Sequence, residues 1–420
     1  MISKSIVVLG GGIGGIIVAN KLRSELPPSV NITLIERNKI HTFAASYLWL
    51  MVGLRKAEKI SVPVRKLISK GVNIIFEEVK KIDTAGNRIQ TENNEISYDY
   101  LIVALGAELD NKFLNKVQDG IHNFYSFDGA QKLRDELNKI QSGEIIIAIE
   151  SLPYKCPGAP YEAAMLISDL INKRGLKNKV SISLFTPEPH PLPVAGPELG
   201  KSVSDLLVAK GIKFCPLHQL NKVEAPNKTV IFNTDFKKAY NLLIVIPKHN
   251  PPAVLNNSGF SDESDLPAGQ VNWITVDRNS LETKFKNIYA IGDVNSISIP
   301  GRWHPDKPMK LPKAGVFAHS QALIVAEIIK SKILGKEIKS SFCGDGFCML
   351  EAGEDLAGFA YGDFFASPHP DVKMKKLGKI WHIGKVIFEK WWLAPIGQVK
   401  EFYKLLLLAG GKLFKIPIKL

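Results

Sequence analysis

The first sign of chemistry in this 420-residue chain is a cysteine in an unusual setting. Cys156 stands in Lys155-Cys156-Pro157-Gly158-Ala159-Pro160-Tyr161-Glu162. The apolar run before it, Glu144 to Ile149, reads as a buried strand, and the stretch after it, Tyr161 to about Arg174, reads as an amphipathic helix. Between a strand and a helix of this kind a glycine-rich phosphate loop would be the ordinary occupant. The residues here are Ala148-Ile149-Glu150-Ser151-Leu152-Pro153-Tyr154-Lys155. Without glycines the backbone cannot approach a pyrophosphate, and Glu150 would repel one. The position is given over to thiol chemistry, and NAD(P)H binding in this unit is not expected.

Three more cysteines follow. Cys215, in the strand-like Lys213-Phe214-Cys215, reads as a small buried hydrophobe. Cys343 and Cys348 form CxxxxC, but no second pair of Cys or His completes a metal site, so no metal is predicted. Cys343 reads as a spare thiol or as a sulfur shuttle, and the sequence leaves both open. Four scattered cysteines do not make a disulfide-stapled secreted domain. Glu162, on the first turn of the helix after Cys156, is a candidate proton acceptor if its pKa is raised, or a complement to the helix dipole. His190, within Pro189-His190-Pro191, is a second candidate of the same kind. Lys313, just ahead of a helix, is a candidate cation for developing negative charge, or an ordinary surface lysine.

The elements that must position these residues begin at the N-terminus. Ser5 to Leu9 is a β-branched strand, followed by Gly10-Gly11-Gly12-Ile13-Gly14-Gly15 and a helix to about Arg23. This is GxGxxG between strand and helix. Gly10 permits the turn, Gly12 admits the pyrophosphate, and Gly15 lets helix and strand pack. The next strand, Asn31 to Ile35, ends at Glu36, where a carboxylate can accept hydrogen bonds from a ribose. Asp99 to Val103 is a strand ending in a small-residue turn, Ala104-Leu105-Gly106-Ala107. Asn287 to Ile291 is another, ending in Gly292-Asp293 and followed by a helix from about Ala314 to Leu334.

In this order the three pieces resemble the FAD-binding segments of the disulfide reductase-like flavoproteins, which carry two dinucleotide-type domains. The resemblance implies FAD held by Gly10, Gly12, Ile13, Gly14, Gly15, Glu36, Arg37, Ala104, Gly106, Gly292, Asp293, Lys313 and Ala314, with Asp293 on the ribityl chain. It narrows at Cys156-Pro157-Gly158-Ala159-Pro160-Tyr161-Glu162 and Gly346-Phe347-Cys348-Met349-Leu350-Glu351-Ala352-Gly353. These are similar to the two redox-cysteine segments of sulfide:quinone oxidoreductases and of the flavocytochrome c sulfide dehydrogenase flavoprotein. Thr186-Pro187-Glu188-Pro189, Val194-Ala195-Gly196-Pro197 and Pro312 to His319 match as well.

The resemblance implies a Cys156–Cys348 disulfide attacked by hydrosulfide, a persulfide and a thiolate as products, and electrons passing to FAD and then to a membrane quinone. It assigns Cys156, Cys348, Glu162, His190 and Lys313 to catalysis. Two departures are visible. No cysteine lies between Gly106 and Lys155, where many relatives carry a third. Thr42 to Trp49 lacks the cysteine that tethers flavin in flavocytochrome c, so FAD is expected to be noncovalent.

At 45% hydrophobic residues the chain can bury a large core, and roughly 150 residues per domain suggests two or three domains. The fold class expected is α/β, with two Rossmann-like domains and a C-terminal membrane-associating region. Residues 1–107 and 271–335 would form a discontinuous FAD domain, 108–270 the second Rossmann-like domain with the first redox cysteine, and 336–420 the C-terminal domain with the second. Of the +13 net charge, much sits after residue 370, where eleven lysines face three acidic residues. There Ile380, Ile383, Ile387 and Trp391 form a helical stripe flanked by Trp381, Phe388 and Trp392, with Lys385 and Glu389 opposite. A second segment, Val399 to Leu408, gathers Phe402, Tyr403 and Leu406 and leaves Lys400 and Lys404 basic. Tryptophans at headgroup depth and lysines near anionic lipid point to a peripheral, monotopic protein of the cell membrane. The alternative is a helical hairpin packed on the body.

No secretory signal or transmembrane segment is expected, and no nucleic-acid module accompanies the charge. Oligomeric state is not legible. The alternatives are a cytochrome-linked sulfide dehydrogenase subunit, a type II NADH dehydrogenase, and a non-catalytic flavin and thiol sensor.

Overall fold

A computed structural model describes residues 4–110, 120–256, 258–260 and 272–416. The expected boundary at 270/271 lies outside the described residues. In chain order the first unit is built from β1 (Ser5–Leu9), α1 (Ile13–Glu25), β2 (Asn31–Ile35), the short α2 (Tyr47–Met51), β3 (Asn73–Ile75) and β4 (Tyr100–Val103). A second unit follows: β5 (Ile121–His122), α3 (Phe127–Lys139), β6 (Gly143–Ile149), α4 (Ala159–Lys173), β7 (Val180–Phe185), α5 (Pro197–Ala209), β8 (Ile212–Cys215) and β9 (Leu242–Ile246). The chain then returns to the first unit through β10 (Ile288–Ala290) and α6 (Gly315–Leu334).

Two five-stranded parallel sheets result. The first has the order β10-β4-β1-β2-β3 and the second β5-β9-β6-β7-β8. Their central strands are buried on both faces and therefore read as continuous apolar runs: Ile6 to Leu9 and Ile145 to Ile149 are fully enclosed. β10 joins the first sheet beside β4, with Ile288 opposite Leu101, so the sheet closes only after the second unit is complete. Helix α4 begins two residues before its expected start, because Pro160 fits the first helical turn.

The C-terminal part contains an antiparallel sheet that the sequence reading did not anticipate, of β11 (Asp345–Gly353), β12 (Leu356–Asp363) and β13 (Asp371–Gly378). Its strand β11 packs against α4. Two helices close the described chain, α7 (Lys379–Leu393) and α8 (Gln398–Phe414).

The expected orientation of α7 is corrected. Trp381, Lys385, Glu389 and Trp392 share one buried stripe, and Trp391 is buried beside it, while Ile380 and Ile383 are exposed. The charges can be inside because they are partnered: Lys385 with Glu162, and Glu389 with Arg55 and Ser46. The tryptophans are therefore core residues. Lys400 is corrected as well. Its ammonium donates to the carbonyls of Trp391, Trp392 and Ala394 and so caps the C-terminus of α7. Large apolar residues of α7, α8 and the turn between them remain outside, namely Ile380, Ile383, Ile396, Val399, Phe402, Leu405, Leu406 and Leu413, alongside exposed Lys379, Lys390, Glu401 and Lys412. Among the described residues no helix is long and apolar enough to cross a membrane.

Candidate active site

Strand β6 delivers the chain to the loop Glu150–Gly158 at the C-terminal edge of its sheet, where α/β proteins place their sites. Cys156 sits in that loop with φ of 53°, left-handed backbone that a non-glycine residue adopts at a cost of about 1 kcal/mol or more. The conformation is fixed at both ends. Cys156 N–H donates to the carbonyl of Lys313 at 2.6 Å, and Ala159 N–H donates to the carbonyl of Cys156 at 2.9 Å. The first of these bonds ties the loop to the segment ahead of α6.

Cys156 and Cys348 open on one largely apolar cavity of about 280 Å³. Cys348 comes from β11, opposite Ala360 of β12. Tyr154, Trp273, Lys313 and Phe347 are among the other walls. Both cysteines are free thiols here, and so are Cys215 and Cys343. Cys156 is half-buried and Cys348 is exposed to the cavity, yet the surrounding protein, followed by the Glu162 carboxylate, pushes both thiols up, Cys348 to about 12. Lys385 opposes this rise at both thiols and does not reverse it.

Lys385, on α7, stands between two carboxylates. Its ammonium lies 2.6 Å from Glu162 Oε1 and 4.0 Å from Glu351 Oε1. Burial presses its pKa down, but Glu162 and then Glu351 outweigh burial and hold the ammonium above its ordinary range. Glu162 also accepts from the Glu351 N–H at 2.8 Å. So Glu162 is buried and engaged as an acceptor, a tighter arrangement than a free carboxylate at a helix start.

Lys313 is enclosed too. It donates to the carbonyls of Asp293 and Asn295 at 2.7 and 2.9 Å, and its ammonium sits 3.5 Å from the centre of the Trp273 ring. Burial lowers its pKa to about 8, with Asp293 opposing. His190 is not among the residues lining this cavity; its Nδ1 is 3.0 Å from the carbonyl of Pro191. Its neighbour Glu188 does line it, held by Tyr154, Tyr161 and Thr186.

The glycine loop after β1 is shaped for a dinucleotide. Gly10 has φ of 97°, and a Cβ at Gly15 would lie 1.8 Å from the carbonyl oxygen of Gly10. A Cβ at Gly12 would meet nothing within 4 Å, which leaves open space over the N-terminus of α1. Gly14 packs on Ile291, and a Cβ on Gly315 would strike Ile13, so α1 and α6 begin side by side. Glu36 terminates β2 with its carboxylate on the N–H groups of Gly11 and Asn38. Ala104 N–H bonds to Leu9, and Gly106, at φ of 71°, faces open space. Gly292, at φ of 76°, turns the chain into Asp293. One carboxylate oxygen of Asp293 is buried without a hydrogen-bond partner, and burial raises its pKa. An orphaned buried acceptor at this point fits the hydroxyl of a bound flavin side chain. Arg37 is directed elsewhere, to Glu78 at 3.8 Å on the surface, and Ala314 caps α6.

Sequence reasoning missed Lys385, Glu351, His382 and Glu188. For Lys385 a signal was present: it lies four residues from both Trp381 and Glu389, on the stripe that ends at Trp392. It also missed His41, whose Nε2 accepts from the Trp392 indole at 2.8 Å while Nδ1 lies 3.3 Å from the carbonyl of Gly11. Among the described residues no cluster could hold a metal ion.

Comparison with known proteins agrees with this architecture. The chain is similar to the sulfide-quinone reductase of Aquifex aeolicus, 29% identical over 400 residues, covering 93% of this chain and 90% of that one. It is also similar to a type II NADH:quinone oxidoreductase of Staphylococcus haemolyticus, 25% identical over 399 residues, covering 86% and 90%. The crystal structure of the Aquifex aeolicus sulfide:quinone oxidoreductase superposes with a TM-score of 0.83 at 26% identity, covering 100% of this chain and 96% of that chain. A family model described as pyridine nucleotide-disulphide oxidoreductase matches residues 4–321. On that match, the chain belongs to the pyridine nucleotide-disulphide oxidoreductase family, whose fold carries a flavin.

Proposed function

We propose that this protein is a membrane-associated flavoenzyme that oxidises sulfide and reduces quinone, with FAD bound noncovalently. The observation that carries the reading is that Cys156 and Cys348, distant in sequence, share one cavity with Lys313. The bound FAD supplies a two-electron acceptor that can be reoxidised by a quinone.

The residues have these roles. In the oxidised protein Cys156 and Cys348 form a disulfide. Hydrosulfide attacks it, making one S–S bond and breaking another, so that one cysteine becomes a persulfide and the other a thiolate. Lys385 offsets the new negative charge in a site that otherwise disfavours it. Lys313 holds a cation beside Asp293 and Trp273, facing the position where negative charge develops on reduction. Gly10 to Gly15, Glu36, Gly292 and Asp293 hold the dinucleotide, and the cysteine-free Thr42–Trp49 segment offers no covalent tether.

A second cavity, of about 350 Å³, shares Val316, Gly346, Phe347 and Tyr361 with the first and reaches Phe388 of α7 and Ile416 beyond α8. It gives a lipid-soluble quinone a route between the helices. The exposed apolar residues of α7 and α8 seat the protein on a membrane surface, which favours quinone over a soluble cytochrome as acceptor.

The test is anaerobic. Sulfide should bleach the flavin, NADH should not, and a soluble quinone should restore the oxidised spectrum. Bleaching by NADH alone would sink the proposal in favour of a type II NADH dehydrogenase. Bleaching by sulfide without reoxidation by quinone would favour the cytochrome-linked enzyme or a sensor.

A further inference from the structure

We propose that Glu351 and His382 form a proton outlet that leads from Glu162, beside the two cysteines, through Lys385 to solvent at Asp355. The inference rests on the sulfide reading. Oxidising hydrosulfide to neutral sulfur removes two electrons and one proton. The electrons go to the quinone by way of FAD, and the proton must leave a mostly apolar cavity.

The groups are in series. Glu162 Oε1 is 2.6 Å from Lys385 Nζ, and Lys385 Nζ is 4.0 Å from Glu351 Oε1. The other oxygen of Glu351 is 2.9 Å from His382 Nδ1, and His382 Nε2 is 3.8 Å from Asp355 Oδ1. Side-chain exposure is 1% at Glu351, 17% at His382 and 70% at Asp355, so the series runs from the interior to water.

One detail separates a relay from a static ion pair. Glu351 Oε1 is buried and has no hydrogen-bond partner. A static cluster with one ammonium and two carboxylates would satisfy both. Here Lys385 is bonded to one acceptor and faces a second, vacant one about an ångström beyond hydrogen-bond reach. Its flexible stem can swing between them. The ring of Trp49 lies beside the series, with the Lys385 ammonium 5.4 Å and the His382 ring 5.7 Å from it, and Arg55, which pairs with Glu389, is 4.4 Å from the same ring.

The transfer balances. The persulfide S–H gives its proton to Glu162. Neutral Glu162 no longer holds Lys385, which moves to Glu351 Oε1, delivers a proton there and is reprotonated by Glu162. Glu351 passes its proton to His382 Nδ1, and Nε2–H gives one to water. Rotation of the protonated Glu351 carboxyl presents its proton to His382, exchange with water returns the imidazole to its Nε2–H tautomer, Lys385 swings back to Glu162, and one proton has left. The titratable groups facing the inner end are Cys156, Cys348, Glu162 and Lys385. Those around the outer end are Asp355, Glu354, Asp169 and Lys173.

His382 acts through Glu351 and is a positioning residue. The experiment uses the flavin-loaded protein in anaerobic stopped flow, with a pH indicator to follow proton release and visible absorbance to follow flavin reduction by sulfide. In His382→Gln both rates should fall roughly 10- to 100-fold, while photochemical reduction of the flavin and its reoxidation by quinone stay unchanged. In His382→Ala, added imidazoles should restore proton release with rates that follow the pKa of the added base. A merely structural role would not produce that ordering. Infrared difference spectra of His382→Gln should show a protonated carboxyl persisting after sulfide is added. Wild-type rates in His382→Gln, or rescue independent of base pKa, would overturn the outlet and leave the sulfide reading standing. Failure of sulfide to bleach the wild type would overturn that reading and the outlet with it.

Discussion

The loops after β1 and after β6 occupy equivalent places, each joining a buried parallel strand to a helix N-terminus, and they carry opposite chemistry. In the first, positive φ falls on Gly10, where it costs nothing, and a Cβ on Gly15 would collide with the backbone. In the second, positive φ falls on Cys156, and Gly158 has an ordinary φ of −73°. The first loop has been emptied of side chains so that its N–H groups can approach an anion. The second spends backbone strain on aiming one side chain. A strand-to-helix junction supplies a location, and the distribution of side chains along it decides between phosphate and sulfur.

The sharpest way to break this comparison is to remove the sulfur. Cys156→Ala and Cys348→Ala should each lower sulfide-driven quinone reduction by more than roughly 1,000-fold while the protein still holds FAD. The check is steady-state quinone reduction beside the flavin spectrum. Full activity in either variant removes that residue from the mechanism.

Next in size is a pair of glycine exchanges. Gly15→Ala should destabilise the protein by about 3 kcal/mol or more and release the flavin, because the new methyl overlaps the carbonyl of Gly10. Gly158→Ala should cost under about 1 kcal/mol, since its Cβ meets the far end of the Leu350 side chain at 3.0 Å, which can give way, and Glu162 Oε2 at an ordinary 3.6 Å. Chemical denaturation and flavin retention measure both, and equal effects would dissolve the distinction between the loops.

A milder effect on rate than cysteine removal concerns Lys313, whose carbonyl holds the second loop to the first unit. Its pKa is lowered to about 8, so the ammonium is charged below that pH and neutral above it. Sulfide-driven flavin reduction should therefore fall roughly 10- to 100-fold as pH rises through about 8. In Lys313→Met the rate should already be low, and this alkaline limb should be missing. A limb that persists unchanged in the variant would assign it to another group.

Much of the scaffold was legible because both sheets are parallel and doubly covered, so that β1, β6 and β9 stand out as continuous apolar runs. The antiparallel β11 to β13 was not, because its strands mix exposed lysines and aspartates with small residues, and their pairing sets the register. Cys156 announced itself through its prolines. Its convergence with Cys348 is tertiary, and only the family resemblance pointed to it. Lys385 was misplaced because a charged residue in a basic, amphipathic stretch reads as solvent-facing until its partner is known, and Glu162 lies on α4, 223 residues earlier. His190 drew notice as a titratable residue between prolines, yet it is Glu188, two positions earlier, whose side chain is turned toward the cavity wall.

The late return of β10 to the first sheet bears on how the protein is made. β10 cannot pair with β4 until the ribosome has produced the whole second unit, a delay on the order of 10–40 s at ordinary elongation speeds. Throughout that interval the nascent phosphate loop lacks Asp293 and α6, so a flavin meeting it would find half a cradle. Cofactor capture therefore reports that synthesis has passed both Cys156 and the closing strand, and a chain interrupted within the second unit should emerge colourless.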